Sequence, residues 1–420
     1  MPKASPSSKV SVHAAAVNEI KVITEGEALL NSTSPVLPNR MSHVDAIRAV
    51  AVLFVMWMHY AEIFSNIAGS GQWLNSIPHY GNFGRIGVVV FFALSGLLIP
   101  KSLYGPISAG TRRFLIRRFF RLYPAFWVSI PLGFLSYRML AGRQMEPAAW
   151  LANATMLPDA LGYPEMMGHY WTLETELVFY ALCLVLFWLG GIQRMRDLCI
   201  VCVSLGGAFV ITSALKIVPP TALGQYKGML YHLSIMFWGA CFRHVNDNPR
   251  GRVVFTLPGV PAFRVDCSYK TAFVAVTGVV ASISLLTFAV ALIQHDNEHV
   301  INSVSYLLGL GIFILLATVW KIHSRLFAWI GELSYSLYLL HGVPVYVLEW
   351  VCKRAGWLGA PLAVYMITAA VFAIGLSWLS FRAVEAPCIR LGHALTSARR
   401  PTTSNAVFVG DHAREKNGGH

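Results

Sequence analysis

A side chain that removes a proton from a hydroxyl must sit where water is scarce and a reactant can still reach it. His59 has such a setting, in an apolar stretch at 44–64 that also carries Asp45 and Arg48. Imidazole is the side chain best suited to this proton transfer near neutral pH. On an α-helix Arg48 and His59 lie about 16.5 Å apart along the axis and within about 20° of one face. An arginine near one membrane surface and an imidazole near mid-depth would then look into one groove. Asp45, one turn before Arg48, can pair with it. Ionisable groups at membrane depth are costly and usually functional. The competing reading is a His59 that merely hydrogen-bonds a neighbouring helix.

Other segments offer partners for that imidazole. In the run His169–Tyr180, residues Thr172, Glu176 and Tyr180 share a helical face, while Glu174 points about 160° away. Glu176 would look inward with a hydroxyl on each side, able to orient an imidazolium or bind sugar hydroxyls. Trp171 could stack on an acceptor ring or belong to the interfacial aromatic belt. Arg85 opens an apolar stretch beside Gly84 and Gly87, and a guanidinium there needs a carboxylate or a bound anion. The small residues Gly84, Gly87, Ser95 and Gly96 read by default as helix packing. Arg117, Arg118 and Arg121 fall on adjacent turns and could clamp phosphates or attract anionic headgroups. Ser334, Tyr338 and His341 line one face, as a polar seam between helices or the far wall of a cavity.

The elements that must hold these residues are membrane helices. Of 420 residues 55% are hydrophobic and 13% charged, against about 25% charged in soluble domains. Lipid must solvate part of such a chain. About ten stretches are long enough to span, near 44–64, 84–103, 119–140, 170–190, 198–217, 226–243, 271–293, 301–320, 326–351 and 358–382. The fold expected is all-α, a polytopic helical bundle. With the N-terminus in the cytoplasm, only seven of the 33 Lys and Arg fall outside, as the positive-inside rule requires. That asymmetry, and not nucleic-acid binding, accounts for the net charge of +13. Both termini are then cytoplasmic. Residues 1–42 and 391–420 read as disordered tails flanking a transmembrane domain at 43–390; the first lacks a signal-peptide pattern. Among seven cysteines only Cys199 and Cys202 are closely spaced, with no His or Cys companions nearby, so they read as apolar filler and no metal is expected.

These segments together resemble the membrane-bound acyltransferase 3 family, from Val44 to about Arg390. The residues that carry the resemblance are Arg48 with His59; Gly84-Arg85-x-Gly87-Val88 and Phe91-Phe92-x-Leu94-Ser95-Gly96; Arg118, Arg121 and Pro124; Trp171-Thr172-Leu173 through Glu176; Ser334–His341; and Glu385 with Pro387. Thr172 stands where the family has serine and keeps the hydroxyl. The resemblance implies an acyl-CoA co-substrate, often acetyl-CoA, and a hydroxyl acceptor on exopolysaccharide, O-antigen or another glycan, in the cell inner membrane. Some relatives carry a fused esterase-like domain, which is not expected here. The roles expected from the residues are catalysis by His59, Glu176 and Arg85 (or a backbone N–H in place of Arg85 at the oxyanion), donor binding by Arg48, Arg117, Arg118 and Arg121, and acceptor binding by Trp171, Tyr180, Tyr338 and His341. The alternatives are an acyltransferase for a small glycoside such as a macrolide, or a transporter of acyl groups or glycolipids, which would make no ester. The acyl group, the acceptor and its side, a covalent acyl-enzyme and the oligomeric state are left open.

Overall fold

The computed structural model describes residues 42–140, 142, 144–215, 228–257 and 260–397. Its helices, in chain order among these residues, are α1 (Ser42–Phe64), α2 (Trp73–Gly81), α3 (Phe83–Leu98), α4 (Ile107–Gly133), α5 (Pro147–Ala154), α6 (Trp171–Trp188), α7 (Met195–Ala214), α8 (Met229–Asp247), α9 (Tyr269–Ile293), α10 (Asn297–Thr318), α11 (Arg325–Glu332), α12 (Ser334–Leu340), α13 (Gly342–Ala355), α14 (Leu362–Ser380) and α15 (Ala386–Thr396). A two-stranded antiparallel hairpin, β1 (Arg252–Leu257) and β2 (Val260–Ser268), joins α8 to α9.

Seven described segments are long and apolar enough to cross a membrane: His43–Phe64, Phe83–Ser102, Trp171–Trp188, Met195–Ala214, Tyr269–Ile293, Asn297–Thr318 and Leu362–Thr396. The protein is an all-α, multi-pass membrane protein. The remaining expected spans are helical too, but differ in kind. The stretch at 119–140 belongs to the longer basic helix α4, which holds Pro124 and Pro131 and runs on into a wider turn at Phe134–Met139. The stretch at 226–243 is α8, enclosed so completely that Ile235, Met236, Phe237, Trp238 and Cys241 expose nothing. Packed on α3, α7 and α9, it needs no lipid-facing surface and can carry His232.

Small residues bring these helices together, as the sequence reading expected by default. A Cβ on Gly96 would stand 1.7 Å from the Met236 carbonyl oxygen, and one on Gly239 would stand 2.2 Å from that of Ala93. Each glycine therefore admits the other helix's backbone where α3 crosses α8. Gly87 admits the Ala51 carbonyl of α1 in the same way.

Two expectations are corrected. The stretch at 326–351 is not one helix but three, α11, α12 and α13. Gly331 sits against the Asp45 carbonyl, 1.8 Å from where a Cβ would stand. Pro344, in the first turn of α13, cannot continue the hydrogen bonding of α12, and its ring opposes the Leu340 carbonyl. Residues 391–396, expected in a tail, are helical, because α15 runs to Thr396 and Gly392 packs on Phe120 of α4; the stretch from 398 on lies outside the described residues. The tail at 1–42 lies outside the described residues except Ser42, which opens α1.

Candidate active site

The break between α12 and α13 is what builds the site. His341 stands at the junction, buried, and its Nδ1 donates to the Tyr338 carbonyl at 2.8 Å. The Tyr60 hydroxyl of α1 donates to the His341 carbonyl at 3.1 Å, which fixes α1 against the junction. The next residue along α1 towards its start is His59. Its ring lies 5.5 Å from that of His341, and the His341 ring lies 4.7 Å from that of His169, just before α6. Three imidazoles thus stand in file.

His59 is half-buried and makes no hydrogen bond among the described residues. It lies five residues before the end of α1, about 7.5 Å along the axis. That places it in the last turns of the helix. Arg48 is at the other end, paired with Asp45 at 3.2 Å as expected.

Arg85 is positioned by a cap. Asn82, in the left-handed region at φ 39°, accepts the Arg85 N–H at 3.0 Å, and its amide donates to Asn302 of α10 at 2.5 Å. No ion pair joins Arg85 to a carboxylate among the described residues. Its guanidinium lies over the rings of Trp171 (5.6 Å) and Tyr306 (5.8 Å). Tyr306 shares a 2.5 Å hydrogen bond with His232, whose ring is 5.1 Å from those of both Trp171 and Phe92. Trp171 is thereby buried among Arg85, His232 and Phe92.

Glu176 does not meet His59. Its carboxylate accepts from Tyr180 at 2.5 Å and from Ser95 at 3.3 Å. Thr172, expected beside it, instead shares a 2.7 Å hydrogen bond with Tyr338, which donates to the His169 carbonyl at 2.9 Å. Glu174 points elsewhere, as its angle on α6 predicts, and accepts the Ala160 N–H at 3.1 Å. Near it in the loop before α6, Glu165 has its pKa pushed up to about 9 by burial and by the carboxylates of Asp159 and Glu174, against the opposing pull of Arg138.

The three arginines of α4 part company. Arg117 donates to Thr396 of α15 at 2.8 Å. Arg121 is ion-paired with the buried carboxylate of Glu385, whose other oxygen accepts from Ser336 at 2.6 Å. Arg118 lies over Phe114 and Tyr180, both at 5.6 Å, and its Nε is buried with no partner. Of this trio it is the arginine with a buried donor left unpaired among the described residues.

Sequence reasoning did not select His169, His232, Tyr306 or Glu385 as site residues. His169 and Glu385 stood inside quoted motifs, and an ionisable residue at membrane depth is itself a signal; Tyr306 gave none. Among the described residues no group of His, Cys, Asp or Glu could hold a metal ion.

A multi-pass helical bundle enclosing a half-buried imidazole and interior arginines is compatible with a membrane-embedded enzyme. The chain belongs to the acyltransferase 3 family, whose family model, described as an acyltransferase domain, matches residues 42–382. It is an acyltransferase. Peptidoglycan O-acetyltransferase OatA of Listeria monocytogenes is 24% identical over 377 residues, covering 83% of this chain and 56% of that protein. The chain therefore spans little more than half of that relative's length. Nodulation protein 10 of Rhizobium leguminosarum bv. viciae is 23% identical over 400 residues, covering 85% of this chain and 96% of that protein. No solved structure matches.

Proposed function

We propose that this enzyme transfers an acyl group, acetyl in the first instance, from acyl-CoA to a hydroxyl of a cell-surface carbohydrate. The observation that carries the reading is His59: a half-buried imidazole that makes no hydrogen bond among the described residues, beside buried His341 and, beyond it, half-buried His169, with Glu62 one turn further along α1 as the carboxylate acting on it. An imidazole in its neutral form has a lone pair to offer, which is what a general base for an alcohol requires.

The carbohydrate acceptor is supported by the peptidoglycan O-acetyltransferase relative. The nucleotide donor is supported by the basic start of α4. With Arg121 held by Glu385 and Arg117 by Thr396, Arg118 supplies the guanidinium with an unsatisfied N–H for a phosphate. Arg85, whose charge meets rings and not a carboxylate, is suited to stabilise the oxyanion formed as the hydroxyl attacks the thioester. The acceptor proton passes to His59, the O–C bond forms, and the C–S bond breaks to release the thiolate. Lys and Arg asymmetry supports an inner-membrane protein with both termini in the cytoplasm.

Mass spectrometry of surface glycans from cells with and without the gene tests the reaction. The expected result is loss of one acyl mass from one glycan. Unchanged glycans together with unchanged small glycosides would refute it. In purified protein, His59→Ala is expected to abolish ester formation, and single-turnover labelling with radioactive acyl-CoA is expected to leave no stable acyl-protein adduct.

A further inference from the structure

We propose that His341 and His169 receive the proton that His59 takes from the acceptor, so that the base is a file of three imidazoles opening at the loop before α6. This rests on the reading of His59 as general base. The ring-to-ring spacings of 5.5 and 4.7 Å leave no room for another side chain between neighbours. The His341 Nδ1 contact is with a carbonyl, which can only accept, so Nδ1 carries the proton and Nε2 keeps its lone pair. The Nε2 of His169 is buried and has no partner. A buried polar atom without a partner is rare, and demands a role. Here both inner rings keep an acceptor nitrogen unspent beside the one residue placed to collect a proton.

The surroundings suit transfer better than storage. No carboxylate among the described residues hydrogen-bonds any of the three rings, so none is locked as an imidazolium. Two adjacent imidazolium ions at this spacing would repel strongly away from water, so the file holds one proton at a time. The titratable groups around it are Glu62 and Tyr60 on α1, Tyr338 on α12, Tyr346 on α13, and Glu165, Tyr170 and Arg138 about the loop. In the reaction the hydroxyl oxygen bonds the acyl carbon as its proton moves to His59. The C–S electron pair leaves with sulfur. With the His341 Nδ1 hydrogen kept on the Tyr338 carbonyl and His169 bonded to the Leu339 backbone, the proton arrives at and leaves His341 by Nε2, reaches Nε2 of His169, and is released to water as that half-buried ring opens to the loop, while the thiolate takes an equivalent proton from solvent.

The test uses purified full-length enzyme with acetyl-CoA as donor and the cell's own glycan extract as acceptor, read as thiol release across pH. Expected for His169→Gln is a kcat lowered about tenfold with KM for acetyl-CoA unchanged, and a low-pH limb moved about one unit toward acid, because the imidazolium loses its sharing partner. His341 is wholly buried and its substitution could prevent folding, so a second measurement is made on the wild type and His169→Gln. Mass-spectrometric exchange of the imidazole C2 hydrogens gives each ring's titration, and His59 is expected to shift when His169 is replaced. A normal pH profile and an unmoved His59 titration in His169→Gln, with His59→Ala inactive, would overturn the file and spare the base. Full activity in His59→Ala would overturn the base itself.

Discussion

Arg121 and Glu385 are 264 residues apart in sequence and form one ion pair in the interior. The carboxylate is wholly buried, and its second oxygen accepts from Ser336 of α12. One carboxylate thus ties the basic helix α4 to the Phe381–Glu385 turn between α14 and α15 and to the segment that presents His341. Removing one partner of such a pair strands the other charge. Glu385→Ala is expected to cost about 3–5 kcal/mol, seen as a lower melting temperature of the detergent-purified protein. A variant melting with the wild type would show that the pair does not hold α4 and α14 together.

The crossing of α3 and α8 makes opposite predictions for two sets of glycines. Gly96→Ala and Gly239→Ala drive a methyl into a backbone carbonyl of the other helix, so they exceed the usual overpacking cost of about 1–3 kcal/mol. They should also displace Ser95 from Glu176. Gly207 and Gly278 have nothing within 4 Å of an added Cβ. Alanine there is expected to stabilise by up to about 1 kcal/mol through helix propensity. Thermal melts of the four variants check the ordering.

Glu165 gives a pH dependence of known sign. Its ordinary value is 4.5 and the folded protein holds it at about 9, so the folded state keeps a proton that the unfolded state releases. The associated stability is complete below about pH 4.5 and is lost as pH rises toward 9. Glu165→Gln, which cannot ionise, should leave stability unchanged in acid and raise it at pH 8. Arg138 donates to the backbone carbonyl of Glu165, a contact the substitution keeps. Melting curves at both pH values decide it.

Arg118 and Arg85 should separate binding from catalysis. Arg118→Ala is expected to raise KM for acyl-CoA about tenfold with little change in kcat, the mark of lost uniform binding. Arg85→Lys keeps the charge but loses the planar fork that lies over Trp171 and Tyr306. It should lower kcat by about a hundredfold with KM kept. Steady-state kinetics on both variants test the assignment, and equal losses in KM alone would refute the role given to Arg85.

The sequence alone determined that this is a helical membrane protein, because apolar runs of span length have no other solvent. It also determined which residues share a face of one helix, since that follows from a fixed rotation per residue. Asp45 pairs with Arg48, Tyr180 meets Glu176, and Glu174 turns away. Only the tertiary structure decided what faces what between helices. The hydropathy of 326–351 is that of one span, and its breaks come from the approach of Asp45 to Gly331 and from Pro344. Those breaks bring His341 between His59 and His169. Likewise Arg117, Arg118 and Arg121 look alike on a helical wheel, and Thr396, Tyr180 and Glu385 make them different. Periodicity fixes a side chain's direction on its own helix; its partner is set by how distant helices rotate and cross, which no local pattern encodes.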